Sequence, residues 1–168
     1  CYSRGNERGI ETDTGRKQVK KYITGCVSFL ALLFIDQWTK WLACLWLKPT
    51  GEYKILGDLF VLQYLENRGA AFGILQNKRI FLLLLTLVIL FLLIVLYIKI
   101  PGEKKYTPLR IADVLLAAGA VGNMIDRFIR SFVVDFLYVK VIRFPVFNVA
   151  DCYVVIAAIT ALLLVSFY

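Results

Sequence analysis

The stretch Gly122–Asp151, GNMIDRFIRSFVVDFLYVKVIRFPVFNVAD, decides how the chain is read. It places three carboxylates, Asp126, Asp135 and Asp151, and two asparagines, Asn123 and Asn148, between two apolar runs. Upstream, Ile111–Ile125 is apolar apart from Asp113 and Asn123; downstream, Cys152–Tyr168 carries no charge. If both runs cross a bilayer, one helix leaves the membrane near Arg127 and the next enters near Asn148. The three aspartates then lie at one membrane face, whatever the orientation. Ionisable groups at a lipid boundary are costly and point to function.

Working outward, the rest of the chain supports a bilayer. Hydrophobic residues make up 60% of its 168 positions and the mean hydropathy is +0.70, well above the roughly 45–50% apolar usage of soluble domains. Ile80–Ile98 is uncharged and close to the roughly 20 residues that cross the hydrocarbon. Apolar runs at about 22–47, 80–98, 108–129 and 147–167 predict four spans. The fold expected is an all-α membrane protein of four transmembrane helices, with residues 22–168 as one domain. Residues 1–21 are read as a basic, mobile cytoplasmic tail.

The net charge of +8 is scattered around the spans and forms no stripe that would suit nucleic acid. An even number of spans puts both termini on one side. Basic residues are densest in the tail (Arg4, Arg8, Arg16, Lys17, Lys20, Lys21) and in the 2–3 loop (Lys99, Lys104, Lys105, Arg110). The positive-inside rule therefore favours cytoplasmic termini. The four cysteines show no metal spacing and the chain has no histidine, so neither a metal nor a cofactor is expected.

Span one carries Asp36-Gln37-Trp38-Thr39-Lys40. Asp36 and Lys40 are four apart and share a helix face, so they can pair. Trp38, Trp41 and Trp46 suit an interfacial belt. Between spans one and two, Tyr53–Leu65 is rich in β-formers and broken by Gly57-Asp58, which predicts short strands at the membrane surface. Asn67-Arg68-Gly69-Ala70-Ala71-Phe72-Gly73 follows; its small residues allow close approach, and an extended peptide could add along it as a strand. Span two reads as a lipid-facing strut. In span three, Ala118 and Gly122 form a small-xxx-small pair for helix packing. Asn123, Asp126 and Arg127 share one face, whereas Asp113 reads as a surface or capping carboxylate. Asn148 is a candidate N-cap, with Asp151 in the first turn of span four.

Two carboxylates that share a proton can activate water, one as base and the other as acid toward a carbonyl oxygen. Three aspartates compete for the two places. Asp126 neighbours Arg127, which suits a structural anion. Asp135 sits in Phe132-Val133-Val134-Asp135-Phe136, an apolar setting that raises a carboxyl pKa. Asp135 and Asp151 are therefore the preferred pair. The competing reading is a small transporter that uses the aspartates as a proton or cation relay, but the polar residues cluster at one face and no repeat relates the halves.

Five motifs in order resemble those of the lipoprotein signal peptidase (signal peptidase II) family. They are Asp36-Gln37-x-Thr39-Lys40, Asn67-x-Gly69-Ala70-Ala71-Phe72-Gly73, Gly122-Asn123-x-Ile125-Asp126-Arg127, Val133-Val134-Asp135-Phe136 and Phe147-Asn148-x-Ala150-Asp151. The resemblance runs from about Tyr22 to the end. It implies a monomeric aspartyl endopeptidase of the bacterial cytoplasmic membrane, active near the extracytoplasmic face. The implied substrate is a diacylglyceryl-modified prolipoprotein, cut just before its lipidated cysteine. It also implies that Asp135 and Asp151 are catalytic. Asn67, Gly69, Asn123, Arg127 and Asn148 would line the site, Asp36, Lys40 and Asp126 would support it, and a small extracytoplasmic β-like cradle would lie between helices 1 and 2. Two positions depart from the pattern: Arg68 replaces a small polar residue, and Ser131 stands where a glycine commonly precedes the Val133-Val134-Asp135-Phe136 motif.

Overall fold

Four long helices and a three-stranded sheet make up the computed structural model, which describes residues 3–69 and 74–167; for 3–14 and 167 it describes the backbone only. Ala70, Ala71, Phe72 and Gly73 of the Asn67 motif lie outside the described residues. Helix α1 (Ser3–Leu42) runs without a break through the boundary expected at residue 21. It continues as a π-helical turn, Ala43–Leu47, and a last helical turn, α2 (Lys48–Thr50). Gly51 ends it at φ +84°, a conformation costly for any residue with a Cβ. Strands β1 (Glu52–Leu56) and β2 (Phe60–Asn67) follow, then α3 (Arg79–Lys99), α4 (Thr107–Arg130), β3 (Val133–Tyr138) and α5 (Val149–Phe167).

Four of the described helical segments are long and apolar enough to cross a membrane: Gly15–Thr50, Arg79–Lys99, Lys104–Arg130 and Val149–Ser166. Their large side chains point outward, as a lipid solvent permits. In α3 only Leu82 and Leu93 are buried, in keeping with a strut. Helix α4 is the hub and packs against α1, α3 and α5. Small residues make this possible. Ala118, Gly119 and Gly122 are buried, and a Cβ on Gly119 would sit 2.5 Å from the carbonyl oxygen of Ala150. A Cβ on Gly122 would collide with the Asp36 carboxylate. The small pair expected at Ala118 and Gly122 is thus joined by Gly119, which places α4 against α5 and α1.

The cradle has a strand that the sequence reading did not supply. The sheet is antiparallel in the order β1-β2-β3, so the segment between α4 and α5 contributes its third strand. Asn67 pairs with Val133 and Leu65 with Asp135, which brings two distant motifs into register. Val61, Val133 and Val134 are fully buried; successive strand residues face opposite sides, so β3 is covered on both faces at its start. Beneath the sheet, Val134 and Phe136 pack on Ala43 and Leu47 of the π turn. π turns concentrate at functional sites; here the turn seats the sheet on the end of α1. β2 is central, but β1 pairs only with its residues 60–63 while β3 runs along the other edge, so the edge of residues 64–67 opposite β3 has no strand partner among the described residues. β3 is flanked by β2 and, at Leu137, by an antiparallel bridge to Phe147.

Asp113 corrects another expectation. It is buried on α4, and its Oδ1 has no partner among the described residues. A helix packed on three sides leaves little surface for a carboxylate in its second turn.

Candidate active site

The described candidate site residues converge on the sheet end of the bundle, where the acids fall into two adjoining groups. The first is ionic. Lys40 Nζ lies 2.9 Å from Asp36 Oδ2 and 3.2 Å from Asp126 Oδ2, with all three side chains buried. Asp36 also accepts hydrogen bonds from the Ala150 amide at 3.0 Å and from Gln37 Nε2 at 3.0 Å. Asp126 accepts from Arg130 Nη1 at 2.7 Å and from the Val134 amide at 3.2 Å. The cations on Asp126 are therefore Lys40 and Arg130. Arg127, the partner expected from adjacency, points away, because consecutive helical residues diverge while i and i+4 meet. Arg130 was missed, although its spacing from Asp126 was visible. These bonds tie α1, α4, β3 and α5 together.

The second group is built from amides. Asn67 Nδ2 donates to Asp135 Oδ2 at 2.9 Å, and Asn148 Nδ2 donates to Asp135 Oδ1 at 2.6 Å. Asn123 Nδ2 donates to Asp151 Oδ1 at 2.9 Å. Each amide is oriented by what its oxygen accepts. Asn67 Oδ1 takes the Gly69 amide at 2.9 Å, Asn148 Oδ1 takes the Asp151 amide at 3.0 Å, and Asn123 Oδ1 takes Lys40 Nζ at 2.9 Å. With the oxygens so engaged, the amino groups face the carboxylates. Lys40 thus acts on Asp151 through Asn123.

Asn148 and Asp151 also form a reciprocal cap, with the Asn148 amide donating to Asp151 Oδ2 at 3.1 Å. That arrangement follows capping-box geometry, so the capping expected of this pair is present in the fold. Asp135 is 2% exposed. Burial pushes its pKa up to about 7, the Asp151 carboxylate pushes in the same direction, and the two asparagine hydrogen bonds oppose the rise. Among the described residues no salt bridge reaches Asp135 or Asp151.

Both carboxylates line a cleft of about 1030 Å³. Its polar wall includes Asn67, Asn123 and Arg127, and its other wall is apolar, with Phe144, Phe147, Val155 and Ile156. Arg127 Nη2 donates to the Gly69 carbonyl at 3.0 Å, and Nη1 makes a longer contact of 3.4 Å to the Asn123 carbonyl. Its buried Nε has no partner among the described residues. Gly69 is buried, and a Cβ there would lie 2.6 Å from the Ile74 carbonyl oxygen. Ser131 ends α4 at φ +69°, its amide donating to Arg127 O at 3.2 Å. A serine therefore holds the left-handed turn that glycine adopts freely, with its Oγ accepting from Arg79 Nη1 at 2.9 Å. Arg68 sits 3.6 Å from Glu66 and over the Phe132 ring.

A four-span bundle that presents two amide-held carboxylates in a cleft at one end has the make-up of a membrane-embedded aspartic-type protease. The sequence model of Signal peptidase (SPase) II matches residues 28–167, and the chain belongs to that family. Among curated relatives, it is 45% identical over 129 residues to the lipoprotein signal peptidase of Caldanaerobacter subterraneus subsp. tengcongensis, covering 76% of this chain and 86% of that one. It is 35% identical over 138 residues to that of Streptococcus thermophilus, covering 82% and 89%. A solved structure described as a bacterial membrane enzyme at 2.3 Å resolution superposes with a TM-score of 0.78 at 30% identity, over 84% of this chain and 87% of that one. This is a multi-pass bacterial membrane protein and a signal peptidase II-type enzyme; the transporter reading is not favoured.

Proposed function

We propose that this protein removes signal peptides from diacylglyceryl-modified prolipoproteins by cutting just before the lipidated cysteine, with Asp135 and Asp151 activating the water. The observation that carries the reading is the cleft. It holds two carboxylates that are oriented by amides and free of cation partners among the described residues, with an apolar wall opposite. Asp135, with its pKa raised to about 7, holds the proton at rest, and Asp151 is the base. Asp151 takes a proton from water as the water oxygen bonds to the peptide carbonyl carbon, while Asp135 gives its proton to the carbonyl oxygen. The resulting diol collapses as Asp151 passes its proton to the amide nitrogen, the C–N bond breaks, and a diol hydroxyl returns a proton to Asp135.

Asn67, Asn123 and Asn148 hold the pair, and Arg127 and Gly69 contact the substrate backbone. The lipid chains lie against Phe144, Phe147, Val155 and Ile156. The density of basic residues supports cytoplasmic termini and an active site near the extracytoplasmic face, with residues 1–21 as a tail and 22–168 as a monomeric peptidase domain. The test is incubation of the purified protein with one prolipoprotein in lipidated and unlipidated forms, followed by mass spectrometry of the products. Only the lipidated form should be cut, leaving the modified cysteine as the new N-terminus. Equal cutting of both forms, or cutting elsewhere, would overturn the reading.

A further inference from the structure

A second cleft, of about 940 Å³, opens between α1 and α4 at the end of the bundle away from the carboxylates. Its mouth is basic: among the described residues, Lys17, Lys20, Lys21, Lys104 and Arg110 line it with one acid, Glu103, and Glu103 is already 3.4 Å from Lys105. Its floor is apolar, formed by Ala31, Leu32, Ile111, Val114 and Leu115. The mouth is a built structure. Lys21 Nζ donates to the Ile100 carbonyl at 2.7 Å and the Ile98 carbonyl at 3.2 Å, and Arg110 Nη1 donates to the Pro101 carbonyl at 2.8 Å. Gly102 brings the connecting loop onto α1, where a Cβ would lie 3.2 Å from the Lys17 carbonyl group. Lys20 and Lys104 remain exposed at the rim without an ion-pair partner among the described residues.

We propose that this cleft binds an anionic glycerophospholipid, its phosphate on the Lys20 and Lys104 rim and one acyl chain along the Ile111–Leu115 floor. Charge and depth select this occupant. A basic mouth between membrane helices attracts anionic headgroups, and the apolar floor continues the lipid-facing surface of the bundle. Soluble anions would leave that floor wet. A signal peptide enters with a positively charged n-region, which this mouth repels, so the cleft does not serve the reaction's own substrate. Even a zwitterionic phospholipid matches the floor alone.

The test is native mass spectrometry of the full chain in a nonionic detergent, titrated with phosphatidylglycerol, with phosphatidylcholine, or with inorganic phosphate. Wild type should retain phosphatidylglycerol in preference to phosphatidylcholine and gain nothing from phosphate. Lys20→Gln/Lys104→Gln, two exposed changes that leave the helices intact, should weaken phosphatidylglycerol binding roughly 25-fold, taking about 1 kcal/mol per basic residue at an anionic surface. Ile111→Trp, which fills the floor, should reduce retention without touching the charges. Equal retention of both lipids by wild type, or undiminished phosphatidylglycerol binding in both variants, would overturn the proposal. So would competition by inorganic phosphate, which would make this an anion site with no lipid component.

Discussion

Two groups of acids sit side by side at the sheet end of the bundle, and they are held in opposite ways. Asp36 and Asp126 share Lys40, and Asp126 adds Arg130. Among the described residues, Asp135 and Asp151 receive only neutral donors: three asparagine side chains and one backbone amide. A cation at contact distance gives a buried carboxylate a compensating charge, whereas an amide orients it without one. The first group therefore suits a bolt between helices, and the second suits acid–base chemistry. Asn123 joins them, with one end on Lys40 and the other on Asp151.

The sharpest way to break this contrast is Lys40→Met. It strands Asp36 and Asp126 without their shared cation in a buried site, and removing one partner of a buried ion pair costs about 3–5 kcal/mol. Thermal unfolding in detergent should show a collapse in stability, and cleavage should fall with it through the freed Asn123. Next comes Asn148→Ala, which removes a donor from Asp135 and the cap of α5. It should cost roughly 1–3 kcal/mol and lower the cleavage rate roughly ten- to hundredfold, measured as initial rates on equal amounts of folded protein.

The pH profile sharpens the same contrast. Activity that needs protonated Asp135 should fall as pH rises through about 7. Because the folded pKa lies above the ordinary aspartate value, the protonated carboxyl contributes stability that is present in full below about pH 4. That contribution is lost as pH rises through about 7. Thermal scans between those limits should show the decline. Smaller again, Arg130→Gln leaves Lys40 on Asp126 and removes a partly exposed cation, and should cost about 1 kcal/mol or less. Ser131→Gly is the near-zero case. Relief of a left-handed serine, about 1 kcal/mol, offsets the lost bond from Arg79, also about 1 kcal/mol. The melting temperature should barely move.

The spans and the convergence of Asp135 and Asp151 were legible because hydropathy and motif order are written along the chain. The Asp36–Lys40 pair was legible too, since a helix turns i,i+4 spacing into contact. The third strand was not, because the pairing of Asn67 with Val133 depends on a register that no local pattern encodes. The partner of Asp126 was misread by trusting adjacency over helical geometry. Asp113 was misplaced because nothing in its neighbours reveals that α4 is packed on three sides. Ser131 shows the reverse: the turn geometry is kept even though the residue that favours it is absent.

The most direct test compares Asp135→Asn, Asp151→Asn and Asp126→Asn for initial cleavage of a lipidated prolipoprotein, with membrane insertion and folding checked in each. The account predicts background rates for the first two with normal insertion, and a reduced but measurable rate for Asp126→Asn alongside some loss of stability. Cleavage that survives Asp135→Asn and disappears in Asp126→Asn would contradict it, and would move the chemistry to the cation-held group.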